Sequence, residues 1–187
     1  MDVTVRSGDI IERDTDAIAS SSGRLLQMRS GTARSIRLAC DGPIRDDIEA
    51  NAPAEGGDVI VTDGYNIAEY ILHAVTSTRE RTPNEVIPEA ARNILEKADN
   101  RGCQSLALPI LGTGHRQLSF QDGVRLIGET IETHHSDSLE TVELVCYTPT
   151  DEFVTRRLFN QTAQDWRNRK SNVDKIENRN HLLKGDQ

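Results

Sequence analysis

Four short segments rich in glycine, serine and threonine carry the clearest chemical potential in this sequence. They are Ser7-Gly8-Asp9-Ile10, Ser20-Ser21-Ser22-Gly23, Ser30-Gly31-Thr32-Ala33 and Leu111-Gly112-Thr113-Gly114-His115. Two of them lead into helical patterns, and the free backbone N–H groups at a helix N-terminus bind phosphate. Each segment alone is typical of an ordinary turn, Gly-Thr-Gly above all. Together they predict a site for a phosphate-bearing ligand.

The elements that position these segments alternate between strand and helix. Apolar alternation and short apolar runs predict strands around Val3–Val5 and at Ala17–Ala19, Asp58–Thr62, Tyr70–Val75, Ser105–Ile110 and Val142–Tyr147. Helical spacing predicts helices at Gly31–Cys40, Ile44–Ala50, Glu85–Asn100, Phe120–His134 and Asp151–Trp166. This alternation favours an α/β sandwich with a mixed sheet. In such sheets ligands collect at the carboxyl ends of the strands, where the four segments are expected.

Length and charge restrict the class of protein. The 187 residues fit one domain, which we place at residues 1–166, followed by a polar helix or tail at residues 167–187. The formal net charge of -8 argues against general nucleic-acid binding, because an acidic surface repels phosphate backbones. A small anionic ligand remains compatible, since backbone N–H groups bind phosphate without basic side chains.

The N-terminus and the cysteines indicate the compartment. The first residues, MDVTVRSGDI, lack a basic segment followed by an apolar one, and no apolar run reaches membrane-spanning length. Cys40, Cys103 and Cys146 are widely spaced and form no pattern of metal ligands. We therefore expect a cytoplasmic protein with no membrane contact, no metal and no resident cofactor.

Taken in order, several motifs resemble the macro domain family. Gly8-Asp9-Ile10 is similar to the family's GDI, and Asp16-Ala17-Ile18 to the DAI that precedes its NAAN motif. GGDVIVTDGYNIAEYILHAV and SLALPILGTGH are similar to the family's central stretch and second binding loop, and VELVCY to its closing strand. The resemblance covers roughly residues 3–160. It implies a three-layer α/β/α sandwich with a mixed, mostly parallel sheet, and binding of ADP-ribose or a related nucleotide, free or protein-linked.

The resemblance also implies roles for individual residues. Asp9 would accept a hydrogen bond from the adenine amino group, Ile10 would pack on the ring, and Tyr147 would contact it from the other side. The remaining ligand-binding residues implied for the ribose and phosphates are Ser20, Ser21, Gly31, Thr32, Ala33, Gly112, Thr113, Gly114, His115 and Arg116. Read from the residues alone, Asp9 is equally typical of a turn and Tyr147 of the core at a strand end. His73, inside an apolar strand, reads as a structural histidine.

The sequence departs from the family where catalysis is expected. The last asparagine of NAAN, which contacts the distal ribose in members that hydrolyse ADP-ribosyl bonds, aligns with Gly23. Glycine has no side chain to position a ribose hydroxyl or a water. The remaining titratable candidates near the second loop are His115 and Asp122, although His115 is equally suited to donating to phosphate. Arg29 and Arg116 are either clamps for an extra phosphate or solvated arginines.

Three functions follow from these residues. The first is a reader of ADP-ribose or a related nucleotide, without the usual hydrolase geometry. The second is a divergent ADP-ribosyl hydrolase or O-acetyl-ADP-ribose deacetylase that uses His115 or Asp122. The third is a scaffold with a degenerate pocket that contacts proteins through the C-terminal segment. We expect the first.

Overall fold

A six-stranded sheet between two helical layers forms the fold, and the computed structural model describes residues 1–77, 79–114, 118–162 and 164. The strands are β1 (Asp2–Ser7), β2 (Ala17–Gly23), β3 (Val59–Asp63), β4 (Tyr70–Ser77), β5 (Ser105–Pro109) and β6 (Thr141–Cys146). The helices are α1 (Gly31–Ala39), α2 (Ile44–Glu49), α3 (Pro83–Asp99), α4 (Phe120–Thr133) and α5 (residues 149–162), with a 3-10 turn at Ile10–Glu12.

The strand order is β1-β6-β5-β2-β4-β3. β3 runs antiparallel to β4, and all other neighbours in the sheet are parallel. The carboxyl ends of β1, β6, β5, β2 and β4 therefore meet at one edge of the sheet, which we call the carboxyl edge. The predicted mixed, mostly parallel sheet is confirmed.

Each face of the sheet has its own apolar core. On one face α3 and α4 cover fully buried residues such as Leu72, Leu106 and Leu108, and Phe159 of α5 joins the same cluster. On the other face Ile36 of α1 and Ile48 of α2 pack against the sheet. Burying one such side chain stabilises the fold by about 1.5–3 kcal/mol. The three-layer arrangement follows from this two-sided burial, as predicted.

Helix starts are set by side-chain caps. Thr82 N–H donates to Glu85 Oε2 over 2.9 Å in a capping box, and Pro83 occupies the first turn of α3. The predicted start at Glu85 was two residues late, because proline fits the first helical turn, where its missing N–H costs nothing. Such caps satisfy N–H groups that have no partner within the helix.

A buried polar network explains one difference from the predicted elements. We expected Ser20–Gly23 to form a loop, but all four residues continue β2. Ser20 Oγ lies 3.2 Å from His73 Nδ1, and Thr62 Oγ1 lies 3.0 Å from His73 Nε2. Because the polar side chains satisfy one another across β2, β4 and β3, serine is compatible with the strand interior. The expected structural role of His73 is confirmed.

Several expectations concern what the chain lacks. None of the helices in the described ranges is long and apolar enough to cross a bilayer. Within the same ranges no three histidine, cysteine, aspartate or glutamate side chains gather as metal ligands, and all three cysteines are free thiols. The proposed boundary between residues 166 and 167 lies outside the described residues.

Candidate functional site

The carboxyl edge brings together three of the four segments singled out in the sequence. The segment after β1 lies beside the end of β6, since Gly8 N–H donates to the carbonyl of Cys146 over 3.0 Å. The loops after β5 and β2 follow along the same edge, because these two strands are hydrogen-bonded neighbours. The site is therefore a row of loops supported by four parallel strands.

The loops after β1 and β6 carry Asp9, Ile10 and Tyr147. Asp9 is exposed, and its Oδ1 accepts a hydrogen bond from the N–H of Ile11 over 3.3 Å, so it caps the 3-10 turn. Ile10 is buried in the core on the α1 side. Tyr147 is 91% exposed, which makes the alternative of a core tyrosine wrong. An exposed tyrosine and an exposed carboxylate on these two joined loops offer one flat apolar surface and one hydrogen-bond acceptor.

The first turn of α1 consists of Gly31, Thr32 and Ala33. Its N-terminal N–H groups have no partner within the helix, the N-cap Ser30 makes no side-chain cap bond, and the first turn contains no acidic residue. The positive end of the helix dipole thus faces the carboxyl edge with no acidic residue in its own first turn. Exposed Arg29 and Arg34 add positive charge at either end of this turn. The arrangement favours an anion.

The loop from β2 to α1 is held in an unusual backbone conformation. Leu26 has φ 53° and Met28 has φ 46°, values that bulky residues rarely adopt. Both side chains are almost fully buried, and the carbonyl of Met28 accepts a hydrogen bond from Arg37 Nε over 3.2 Å. Burial therefore compensates the backbone strain and fixes the loop ahead of Gly31. Strain of this kind concentrates at binding sites.

The loop after β5 is built on two glycines. Thr113 Oγ1 donates to the carbonyl of Ile110 over 2.8 Å, and Thr113 Cγ2 lies against Gly123, where a Cβ would come within 2.8 Å. Gly112 has φ 76°, and a Cβ there would lie 2.7 Å from Ile87 Cδ1. Gly114 is exposed, with no heavy atom of the described residues within 4 Å of an added Cβ. Of the predicted residues in this loop, His115 and Arg116 lie outside the described residues.

A Gly112→Ala substitution is expected to lower the free energy of unfolding by about 1–2 kcal/mol, the cost of a left-handed non-glycine residue. The methyl group would also press on the fully buried Ile87. Urea denaturation measures the change. Gly114→Ala is the matched control and should leave stability within about 0.5 kcal/mol of wild type. Equal effects of the two substitutions would contradict the assigned conformation of Gly112.

Ser20, Ser21 and Asp122 are placed differently from the loop residues. Ser20 is fully buried, and its hydroxyl contacts His73 rather than the surface. Ser21 is half-buried within β2. The carboxylate of Asp122 accepts a hydrogen bond from Ser119 Oγ over 2.6 Å, and Asp122 N–H donates to the same hydroxyl over 3.1 Å. This reciprocal cap starts α4 and gives Asp122 a structural role.

Gly23 ends β2 beside Ser77 of β4. A Cβ built on Gly23 would lie 3.4 Å from Ser77 Oγ, an ordinary contact, and its φ lies outside the left-handed region. The next residue, Arg24, forms ion pairs with Glu55 over 2.9 Å and Glu80 over 3.1 Å. These pairs tie together the loops after β2, α2 and β4. Arg24 was not predicted from the sequence, because its partners lie 31 and 56 positions away and leave no local signal.

The comparison with known families agrees with this geometry. The Macro domain family model matches residues 21–127, which is more than half of the chain. The chain belongs to the macro domain family. A mutant macrodomain of Oceanobacillus iheyensis solved with ADPR has a TM-score of 0.77 at 20% identity, covering 87% of this chain and 92% of that one. A Trypanosoma brucei macrodomain in complex with ADP has a TM-score of 0.74 at 21% identity, covering 83% of this chain and 68% of that one.

Curated relatives are similar to this macro domain in sequence. An uncharacterized protein of Mycobacterium tuberculosis is 30% identical over 144 residues, which cover 76% of this chain and 40% of the relative. An uncharacterized protein of Sulfolobus acidocaldarius is 25% identical over 167 residues, covering 87% of this chain and 92% of the relative. The chain thus spans about two fifths of the length of its mycobacterial relatives and nearly the whole of the archaeal one.

Proposed function

We propose that this macro domain binds ADP-ribose or a closely related nucleotide, free or attached to a protein, along the carboxyl edge. The observation that supports this most strongly is the pairing of exposed Asp9 and Tyr147 on loops joined by a backbone hydrogen bond. Asp9 uses Oδ1 for the N–H of Ile11, and within the described residues its Oδ2 has no hydrogen-bond donor. Oδ2 would accept from the adenine amino group while Tyr147 contacts the ring.

The phosphates would bind at the next positions along the edge. The first turn of α1, at Gly31–Ala33, presents N–H groups and a positive dipole end, while exposed Arg29 adds charge. The loop at Gly112–Gly114 would contact the second phosphate and the distal ribose through its backbone. Macrodomains of similar fold solved with ADPR or ADP support this choice of ligand.

We further propose that the site binds without hydrolysing. Gly23 offers no side chain at the position where hydrolytic members carry the last asparagine of NAAN, and Asp122 is engaged in the cap of α4. Gly23 therefore has no side chain to orient a water toward the distal ribose, and the cap of α4 gives Asp122 a structural role. A turnover assay with ADP-ribosylated protein and O-acetyl-ADP-ribose tests this part: product release at rates above the uncatalysed background would contradict it.

Asp9→Ala is expected to weaken ADP-ribose binding by about ten- to a hundred-fold, because one hydrogen bond to a charged acceptor is lost in the bound state. Titration calorimetry measures the change. Asp14→Ala removes another exposed carboxylate of the same β1–β2 connection and serves as the matched control, with unchanged affinity. The absence of heat from wild type with ADP-ribose, AMP and NAD would refute the proposal.

Asp9→Asn tests the recognition of adenine by Asp9 separately from its capping of the 3-10 turn. The amide oxygen can still accept from Ile11 N–H, so the NH₂ group takes the place of Oδ2 and faces the ligand. The variant should therefore lose affinity for ADP-ribose and gain it for the hypoxanthine analogue, whose 6-oxo group is an acceptor. If Asp9 acted only through the 3-10 turn, Asp9→Asn would behave like wild type with both ligands.

Gly23→Asn is expected to fold normally and to bind ADP-ribose about three- to ten-fold more tightly, because the new amide adds one hydrogen bond to the distal ribose. A Cβ at Gly23 makes an ordinary contact of 3.4 Å with Ser77 Oγ, and the backbone there is outside the left-handed region. AMP lacks the distal ribose and is the control ligand, with unchanged affinity. Equal gains for AMP and ADP-ribose would show that Gly23 does not face the distal ribose.

A further inference from the structure

The two outer strands of the sheet differ in how their free edges are covered. On β1, Ser7 N–H donates to Glu152 Oε2 over 2.8 Å, and the Val5 carbonyl accepts a hydrogen bond from Arg156. Glu152 and Arg156 are themselves paired over 2.7 Å on α5. Side chains thus occupy the backbone groups that another strand would need.

The outer edge of β3 has no such cover among the described residues. Val75 N–H donates to the Asp58 carbonyl over 2.8 Å, and Gly64 N–H to the Glu69 carbonyl over 3.0 Å. In this register the even-numbered residues of β3 bond to β4, while Val59, Val61 and Asp63 direct their backbone groups outward. No described residue donates to or accepts from these outward groups. β3 therefore presents three residues ready to pair with another strand.

A groove of about 500 Å³ lies along this edge. α3 forms one wall, and the segment after α2 forms the other. Its lining includes Asn51, Asp58, Val59, Asn93, Glu96 and Lys97. The walls are polar and the floor is the strand edge, which is the form of a site for strand addition.

We propose that the occupant is a second copy of this chain, paired antiparallel through β3 about a two-fold axis at Val61. Val61 then pairs with itself, and Val59 lies opposite the partner's Asp63. The contact is isologous and closes after two copies. The result is a continuous twelve-stranded sheet whose remaining outer strands are the two covered β1 strands.

The pairing of opposite charges between Lys97 and the partner's Asp63 favours a second copy of this chain over an unrelated peptide segment. Lys97 is the only lysine among the described residues, and within them its ammonium group has no ion-pair partner. Asp63 is exposed and likewise unpaired there. Val59 and Val61 face the α3 side, so Asp63, two residues on, has the same orientation. Pairing places the partner's Asp63 opposite Val59, in the groove that Val59 and Lys97 both line, and it does so twice by symmetry.

Analytical ultracentrifugation of the full chain over a range of concentrations tests the proposal. About 0.15 M salt, where the Debye length is about 8 Å, limits the repulsion between two acidic copies. The expected result is reversible association from 20.8 kDa to twice that mass. Asp63→Lys and Lys97→Asp should each raise the dimer dissociation constant at least about ten-fold, because each brings like charges together. The double reversal should restore the wild-type value to within about three-fold.

Val61→Pro gives an independent test of the backbone pairing. The N–H of Val61 points outward, so proline removes no bond to β4 and should leave the monomer folded. The variant should sediment as a monomer with the far-UV spectrum of wild type. A monomeric wild type at all concentrations, a dimer that survives both single reversals, or a double reversal that fails to rescue would each overturn the proposal.

Discussion

Acidification from pH 6.5 to pH 4 is expected to remove about 3 kcal/mol of unfolding free energy through the protonation of His73, a contribution that is absent from His73→Gln. Burial lowers the pKa of His73 from 6.5 to about 4. Between these values the unfolded chain binds a proton that the folded protein does not. The contribution of His73 to the free energy of unfolding is therefore complete above pH 6.5. It is lost as the pH falls from 6.5 through 4.

Urea denaturation at a series of pH values measures this slope. Glutamine offers an NH₂ donor group and a carbonyl acceptor but does not titrate. Comparison with the variant therefore separates the titration of His73 from that of the carboxylates. Wild type and His73→Gln should differ in their pH dependence between 6.5 and 4 even if glutamine lowers stability at neutral pH. Parallel profiles across this window would mean that His73 is protonated inside the fold, in conflict with its burial between Ser20 and Thr62.

Asp99→Ala is expected to cost about 3–4 kcal/mol of unfolding free energy, because three backbone N–H groups lose their acceptor together. The carboxylate at the end of α3 accepts from Asp137 N–H over 3.0 Å, Ser138 N–H over 2.7 Å and Leu139 N–H over 2.9 Å. Ser136 Oγ adds a further bond over 2.8 Å. This one side chain fixes the connection from α4 to β6, and calorimetric unfolding at neutral pH measures its contribution.

Acid sensitivity distinguishes Asp99 from His73. Partial burial raises the pKa of Asp99, but the hydrogen bonds from residues 136–139 outweigh it and hold the pKa well below its ordinary 3.8. Its contribution is thus retained above pH 3.8 and lost below it, outside the window of His73. Asp137→Ala, an exposed neighbour in the same connection, is the control and should change stability by less than about 0.5 kcal/mol. A similar cost for both variants would refute the role of Asp99.

The fold could be predicted from the sequence because the apolar periodicity and the turn residues indicated the same strands and helices. The continuous apolar run at Ser105–Ile110 predicted the buried strand that forms at Ser105–Pro109, and the alternation of strands and helices predicted the layers. The errors occurred where a distant partner decides the local structure. Ser20–Gly23 were expected in a loop, since nothing nearby reveals that His73, 53 positions after Ser20, satisfies the serine within a strand.

The residues of the candidate site also fall into two groups, those that local patterns predicted and those that depend on distant contacts. Asp9, the first turn of α1 and Gly112 lie at strand ends that local patterns located, and the exposure of Tyr147 removed the core alternative. The ion pairs of Arg24 depend on contacts between loops far apart in the chain, as do the hydrogen bonds of Asp99, which lies outside the site. His115 and Arg116 stay predictions. Contacts of this kind arise from the assembled sheet, so a single sequence without the fold does not contain them.

The pairing of β1 sets the order in which this molecule can be completed during synthesis. Of the six described strands β1 is made first, yet its only neighbour among them is β6, which is made last, with Asp2 paired to Thr141. Closing a loop of that length is slow and carries a large entropy cost. A nascent chain can join β2, β4 and β5 while β1 still waits for its partner. The Asp9 end of the site must therefore form last, and a chain truncated before β6 would retain the first turn of α1 without it.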